Sequence, residues 1–244
     1  MKGAVEKSEI IKKLQEQVLS LQGFKQPSEQ YKLLGLGPIE ASFPGGIFPV
    51  GAVHEFLSSS RESAAATGGF MAGLLGKLMS QEGLCLWVSS GRTLFPPGLR
   101  LFGINPERVI FIDLRKEQEA LWAIEEALKC DAIKAVVGEL SQIDFAQSRR
   151  LQLAVEQSRV TGLIHCTSAG KPTNTTAVSR WHITPLASLP ENGMPGLGHP
   201  RWQVALDKVR NGLPGRWLIE WRGGHFRNLD MDVTKRSTIL ERTA

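Results

Sequence analysis

A strand pattern over residues 51–57, GAVHEFL, runs into the segment LSSSRESAAATGG and then into a helix pattern from about residue 64. Strand, loop and helix are the setting of a phosphate-binding loop. Its G-x-x-x-x-G-K-[ST] pattern brings glycine N–H groups, a lysine for the β- and γ-phosphates and a hydroxyl for Mg²⁺. No G-K-[ST] occurs here. Ala64 and Ala65 occupy the places of the lysine and the hydroxyl, and Ser58 and Ser63 stand where glycines are needed. Alanine can neither neutralise a phosphate nor hold a metal, and serine narrows the backbone angles open to a cradle. Arg61 is the loop residue suited to an anion near the helix start.

The other reactive side chains do not assemble by spacing. Cys85, Cys130 and Cys166 are far apart and none belongs to a C-x-x-C pair. That usage fits reduced thiols in a cytoplasmic protein and gives no metal site. His165 and Cys166 are neighbours on a strand pattern and would point to opposite faces. His54, His182, His199 and His225 are scattered, and no Ser/His/Asp or Cys/His arrangement is legible. No catalytic, cofactor or metal residue is therefore expected.

Basic residues are more suggestive. Arg201, Lys208, Arg210, Arg216, Arg222, Arg227, Lys235, Arg236 and Arg242 crowd the C-terminal part, with Trp202, Trp217 and Trp221 between them. Such a set suits single-stranded nucleic acid, a protein interface or simple packing of a hairpin, and the three readings stay open. Arg149, Arg150 and Arg159 lie on a helix pattern over 144–159 and fit an exposed face.

The elements that must position these residues alternate. Apolar strand patterns at 84–89, 108–114, 133–140 and 161–167 are separated by helix patterns at 116–129 and 144–159. Near-continuous apolar strands are buried on both faces, so the class is α/β with a doubly wound, mostly parallel sheet. After residue 167 the alternation stops, and 180–186, 201–211 and 215–223 read as strands of an antiparallel end. At the other end, SEIIKKLQEQVLSLQ (8–22) reads as a helix capped by Ser8. Its stripe of Ile10, Leu14, Val18 and Leu21 either packs on its own domain or docks on a partner. The expected organisation is a helical arm over 1–30, a core over 31–222 and a basic tail over 223–244. The start MKGAVEKSEI lacks a signal-peptide apolar region, and no apolar run reaches the ~18 residues of a membrane span. The formal net charge is +5, which admits an anionic partner without demanding one.

The segment GGIFPVGAVHEFLSSSRESAAATGGF resembles the approach to the phosphate loop in RecA-type recombinases, with Gly45, Gly46, Ile47, Pro49, Gly51, Val53, Glu55 and Phe56 matching or nearly matching. The resemblance implies a RecA-like core, and it places Lys171, within the polar loop 168–179, and Arg180, just after it, where RecA carries a DNA-binding loop, as candidates for phosphate contact. It also implies that four elements of the ATP site are altered together. Ala64 or Ala65 replaces the phosphate lysine, and Gly91, after Ser89 and Ser90, replaces the water-activating glutamate. Gly138, followed by Glu139, stands at the metal-binding aspartate, and Thr167 follows Cys166 where a nucleotide-sensing glutamine is found. Over roughly residues 40–222 the chain resembles the ImuA family most, through GAVHEFL, LFPPGLRLFGINPERVIF, EALWAIEEALKC, AVVGEL, SRRLQLAVEQS and PRWQVAL…RNGLPGRWLIEW. That likeness implies a non-enzymatic accessory factor of SOS mutagenesis and translesion synthesis. Its expected partners are an ImuB-like Y-family homologue, RecA and an error-prone replicative-type polymerase. The SulA-type inhibitors of cell division, similar degenerate RecA folds, give the alternative.

Overall fold

The computed structural model describes residues 33–79, 83–91, 94–168, 173–189 and 196–229. Nine strands form one sheet in the order β3-β2-β4-β5-β1-β6-β7-β8-β9. The strands are β1 (Val53–Leu57), β2 (Leu84–Ser89), β3 (Val109–Asp113), β4 (Ile133–Leu140), β5 (Thr161–Cys166), β6 (Ser179–Leu186), β7 (Arg201–Val209), β8 (Gly215–Arg222) and β9 (His225–Asn228). Pairing is parallel from β3 to β6 and antiparallel from β6 to β9.

Helices cover both faces of the parallel part, as right-handed crossovers require. On one face α1 (Arg61–Leu78) buries Phe70, Met71, Leu74 and Leu75 against Cys85, Trp87, Val137 and Leu163. On the other, α2 (Glu117–Leu128) and α3 (Phe145–Ser158) bury Ile124, Leu128, Leu151 and Val155 against Val53, Val88, Val136 and Ile164. Asp144 starts α3 with a reciprocal capping box. Its carboxylate accepts the Gln147 backbone N–H at 2.7 Å, and the Gln147 side-chain amide oxygen accepts the Asp144 N–H at 2.9 Å.

Glycines let α1 approach the antiparallel end closely. A Cβ on Gly73 would lie 2.7 Å from a Phe226 ring carbon, and one on Gly69 would lie 3.3 Å from Trp202. One on Gly76 would lie 2.1 Å from the Phe102 carbonyl oxygen. The aromatic layer beneath the helix is continuous: Phe70 meets Trp202 edge-on at 5.7 Å, and Phe226 meets Trp221 at 4.8 Å.

Two boundaries differ from the sequence reading. Helix α1 begins at Arg61, three residues earlier than the apolar pattern suggests, because Ser60 caps it. The core does not end at Arg222 either. Gly223 and Gly224, at φ 59° and 75°, turn the chain back into β9, and Phe226 enters the aromatic layer. A four-residue strand with one buried aromatic leaves no legible period. The expected arm, with Ile10, Leu14, Val18 and Leu21, and the tail beyond Leu229, with Lys235 and Arg236, lie outside the described residues. No helix among the described residues is long and apolar enough to cross a membrane.

The glycine contacts make a paired prediction for urea denaturation. Gly73→Ala is expected to lose about 1–3 kcal/mol by overpacking against Phe226. Gly68→Ala, whose Cβ would meet nothing within 4 Å, is expected to gain about 0.5–1 kcal/mol of helix propensity. Equal effects at the two sites would refute this packing.

Candidate functional site

A cleft of about 1120 Å³ opens at the carboxyl ends of β1, β2, β4 and β5, beside the first turns of α1. Ligands of open α/β sheets bind in this place. Ala64 and Ala65 line its wall, and Arg61 and Arg115 stand at its mouth.

The start of α1 satisfies itself. The Ser60 hydroxyl accepts the Ser63 N–H at 3.1 Å, and the Ser63 hydroxyl accepts the Ser60 N–H at 3.0 Å. The Ala64 N–H donates to the Ser60 carbonyl at 2.9 Å. Glu62 lies on the same turn. Its own backbone N–H, and then Ser60, hold its carboxyl below the ordinary range. The Ser60, Ser63 and Ala64 N–H groups thus have partners, and the Glu62 carboxylate lies at the positive end of the helix. Ser58 is also engaged. Its hydroxyl bonds Thr67 Oγ1 at 2.9 Å and His165 Nε2 at 2.9 Å, tying β1, α1 and β5 together. These residues do not fit a nucleoside triphosphate with its metal, and no step can be drawn through one.

Strand alternation decides which residues face the cleft, and it corrects one correspondence. Gly138 points away: a Cβ there would lie 2.4 Å from Ile124 of α2. Its neighbour Glu139 faces the cleft and accepts the Trp87 indole N–H at 3.0 Å. An acid at 138 would therefore clash with α2, and it is Glu139 of this strand that offers a carboxylate to the cleft. Burial raises its pKa, the Trp87 bond opposes that shift, and the nearby Asp113 charge adds to it. Gly91 lies exposed at the rim with no side chain to offer. Glu117 closes another corner, accepting the Ser141 N–H at 2.6 Å. The sequence reading missed Trp87 as a cleft residue. The available signal was the shared parity of Trp87, Glu139 and His165 along three neighbouring strands. Among the described residues, no three His, Cys, Asp or Glu side chains converge as a metal-ligand set.

The structure divides the candidate basic residues. Arg180 is engaged within the fold. It donates to the buried Glu55 at 2.7 Å and to the Thr173 carbonyl at 2.5 Å. Lys208 donates to the Thr175 carbonyl at 2.6 Å, and Arg210 to the Thr176 carbonyl at 2.5 Å, so both pin the 173–178 segment to the sheet. Burial lowers the pKa of each, and neighbouring Arg charges add to the shift. Arg201 pairs with Glu220 at 2.7 Å. Arg150 pairs with Glu125 across α2 and α3. Arg222 is half-buried and partnered, whereas Arg216 and Arg227 are exposed on the outer side of β8 and β9. Lys171 lies outside the described residues. Trp202, Trp217 and Trp221 belong to the inner face, so the basic and aromatic residues do not share a surface.

Both described buried histidines are neutral by environment. His54, between Ser179 Oγ at 2.6 Å and the Pro49 carbonyl at 2.8 Å, is pushed by burial down to about 4, against the opposing effect of the Pro49 bond. Burial does the same to His165, also to about 4. The Cys85 and Cys166 thiols are pushed up to about 12, again chiefly by burial, so neither is a ready nucleophile.

No family model matches the chain. Protein ImuA from two strains of Caulobacter vibrioides is 35% identical over 194 residues, covering 75% of this chain and 80% of the relative. The crystal structure of the RadB recombinase superposes with a TM-score of 0.54 at 15% identity, covering 79% of this chain and 97% of that one. The fold is RecA-like.

Two predictions follow from the buried groups. Below pH 6.5 the unfolded chain protonates its histidines while folded His54 and His165 resist until about 4. Their contribution to stability is complete above 6.5 and falls as the pH drops through that window, by up to about 1.4 kcal/mol per unit for each histidine. Denaturation midpoints from pH 6.5 to 4.5 should fall less steeply in His165→Gln, and an unchanged slope would refute the assignment. Arg180→Met removes the ion-pair partner of buried Glu55, leaving it the Thr175 hydroxyl bond, and is expected to cost about 3–5 kcal/mol. Adding Glu55→Gln should recover much of that loss in the same denaturation measurement.

Proposed function

Because this chain belongs to the ImuA family, we propose that it is a non-enzymatic accessory factor of DNA-damage-induced (SOS) mutagenesis, acting through the shape of a RecA protomer and not through ATP turnover. The carrying observation is a kept RecA-like sheet whose cleft offers Ala64 and Ala65 where phosphate and metal ligands are needed, beside a helix start occupied by Glu62. A protein of this form suits joining or regulating a translesion polymerase assembly. Its partners are an ImuB-like Y-family homologue, RecA and an error-prone replicative-type polymerase. A RecA-shaped surface also suits capping or interrupting RecA filaments, since such contact needs a complementary face and no hydrolysis.

Co-purification of the full chain with the ImuB-like homologue and with RecA of the same cell tests this reading, alongside an ATPase assay. Retention of either partner without ATP turnover is expected. Removal of residues 1–23 asks whether Ile10, Leu14, Val18 and Leu21 carry the contact. ATP hydrolysis by the pure protein would refute the non-enzymatic reading. Retention of neither partner, with filamentous cells on overexpression, would favour the division-inhibitor alternative.

A further inference from the structure

The cleft beside α1 carries acids, Glu139 and the Ser141-bound Glu117, and exposed arginines, Arg61 and Arg115. On the floor, Glu139 is half-buried, with one carboxylate oxygen on the Trp87 indole N–H at 3.0 Å, and none of the described Lys or Arg residues pairs with it. Asp113 adds negative charge nearby. The walls are small and apolar at Ala64, Ala65 and Gly68, which leaves an open way down to the carboxylate. At the mouth, Arg61 and Arg115 are exposed, and Phe95, 72% exposed, stands on the rim.

A phosphate would meet the Glu139 charge at the floor. A group that reaches the floor must donate hydrogen bonds, and a positive charge there is favoured over a neutral one. Guanidinium suits this floor best. Its planar fork can bond the carboxylate oxygen that the Trp87 indole N–H leaves open. An exposed aromatic at the rim is a common anchor for a protein surface, and arginines at the mouth complement acids beside the inserted residue. We propose that the cleft receives an arginine side chain from a protein partner, seated on Glu139 and flanked by acidic residues that meet Arg61 and Arg115. This assignment stands independently of which assembly the chain serves.

The test is calorimetric titration of the full chain with an acetylated Asp-Arg-Asp amide, its Asp-Gln-Asp counterpart and spermidine. Saturable binding of the arginine peptide is expected, at least about tenfold weaker for the glutamine peptide and for the Glu139→Gln protein. Gly68→Leu should block binding by filling the cleft without touching Glu139, and it guards against misfolding of Glu139→Gln. Absence of binding, equal binding of the two peptides, or retained affinity in Glu139→Gln would overturn the proposal. Tighter binding of spermidine would overturn it too, by assigning the cleft to a free polyamine. Failure of the co-purification above would leave these titrations unchanged.

Discussion

The backbone of α1 lies so near Phe226 at Gly73 and the Phe102 carbonyl at Gly76 that neither position has room for a side chain, and Gly69 is tight against Trp202; the geometry of the cleft depends on these contacts. Helix burial here is not a stripe. Phe70, Met71, Leu74 and Leu75 face the sheet while the glycines admit Trp202, Phe226 and the Phe102 carbonyl. Fixing the helix body also fixes where its first turn begins. With Ser60 as cap, the turn is wound from Arg61, and the segment that a phosphate loop would need becomes helix. The departure from a phosphate loop is thus one of backbone conformation as well as of side chains.

Electrostatics follow a similar division between structure and surface. Several basic residues of the C-terminal part serve the fold. Arg180 compensates buried Glu55, Arg201 compensates Glu220, and Lys208 and Arg210 donate to carbonyls of the segment leading into β6. Satisfying buried acceptors in this way avoids the cost of leaving polar groups unpaired. The net charge of +5 therefore overstates the cationic surface available to a partner. Arg216 and Arg227 are exposed beyond the sheet, but the tryptophans that could have stacked with bases are on its other face.

The architecture was legible before any coordinates. Apolar runs at 84–89 and 133–140 could only be strands buried on both faces, and the helix patterns between them implied crossovers. The hairpin could be read as strands but not as a surface, because composition does not say which alternating set turns inward. Trp202, Val204 and Leu206 settle that by packing on α1, which leaves Arg201 and Asp207 outside. Strand β9 escaped notice because four residues around one phenylalanine carry no period.

By itself, the sequence determined the fold class, the likeness to its family and the absence of a lysine and hydroxyl at 64 and 65. These are properties of residue type and local period, which a linear chain displays in full. Only the tertiary structure decided that Glu139 faces the cleft and Gly138 faces α2, and that His165, Ser58 and Thr67 join across three elements. It also decided that Arg180 lies on Glu55. Such facts depend on strand parity relative to helices distant in sequence and on close approach across the sheet, and neither is fixed until the layers pack.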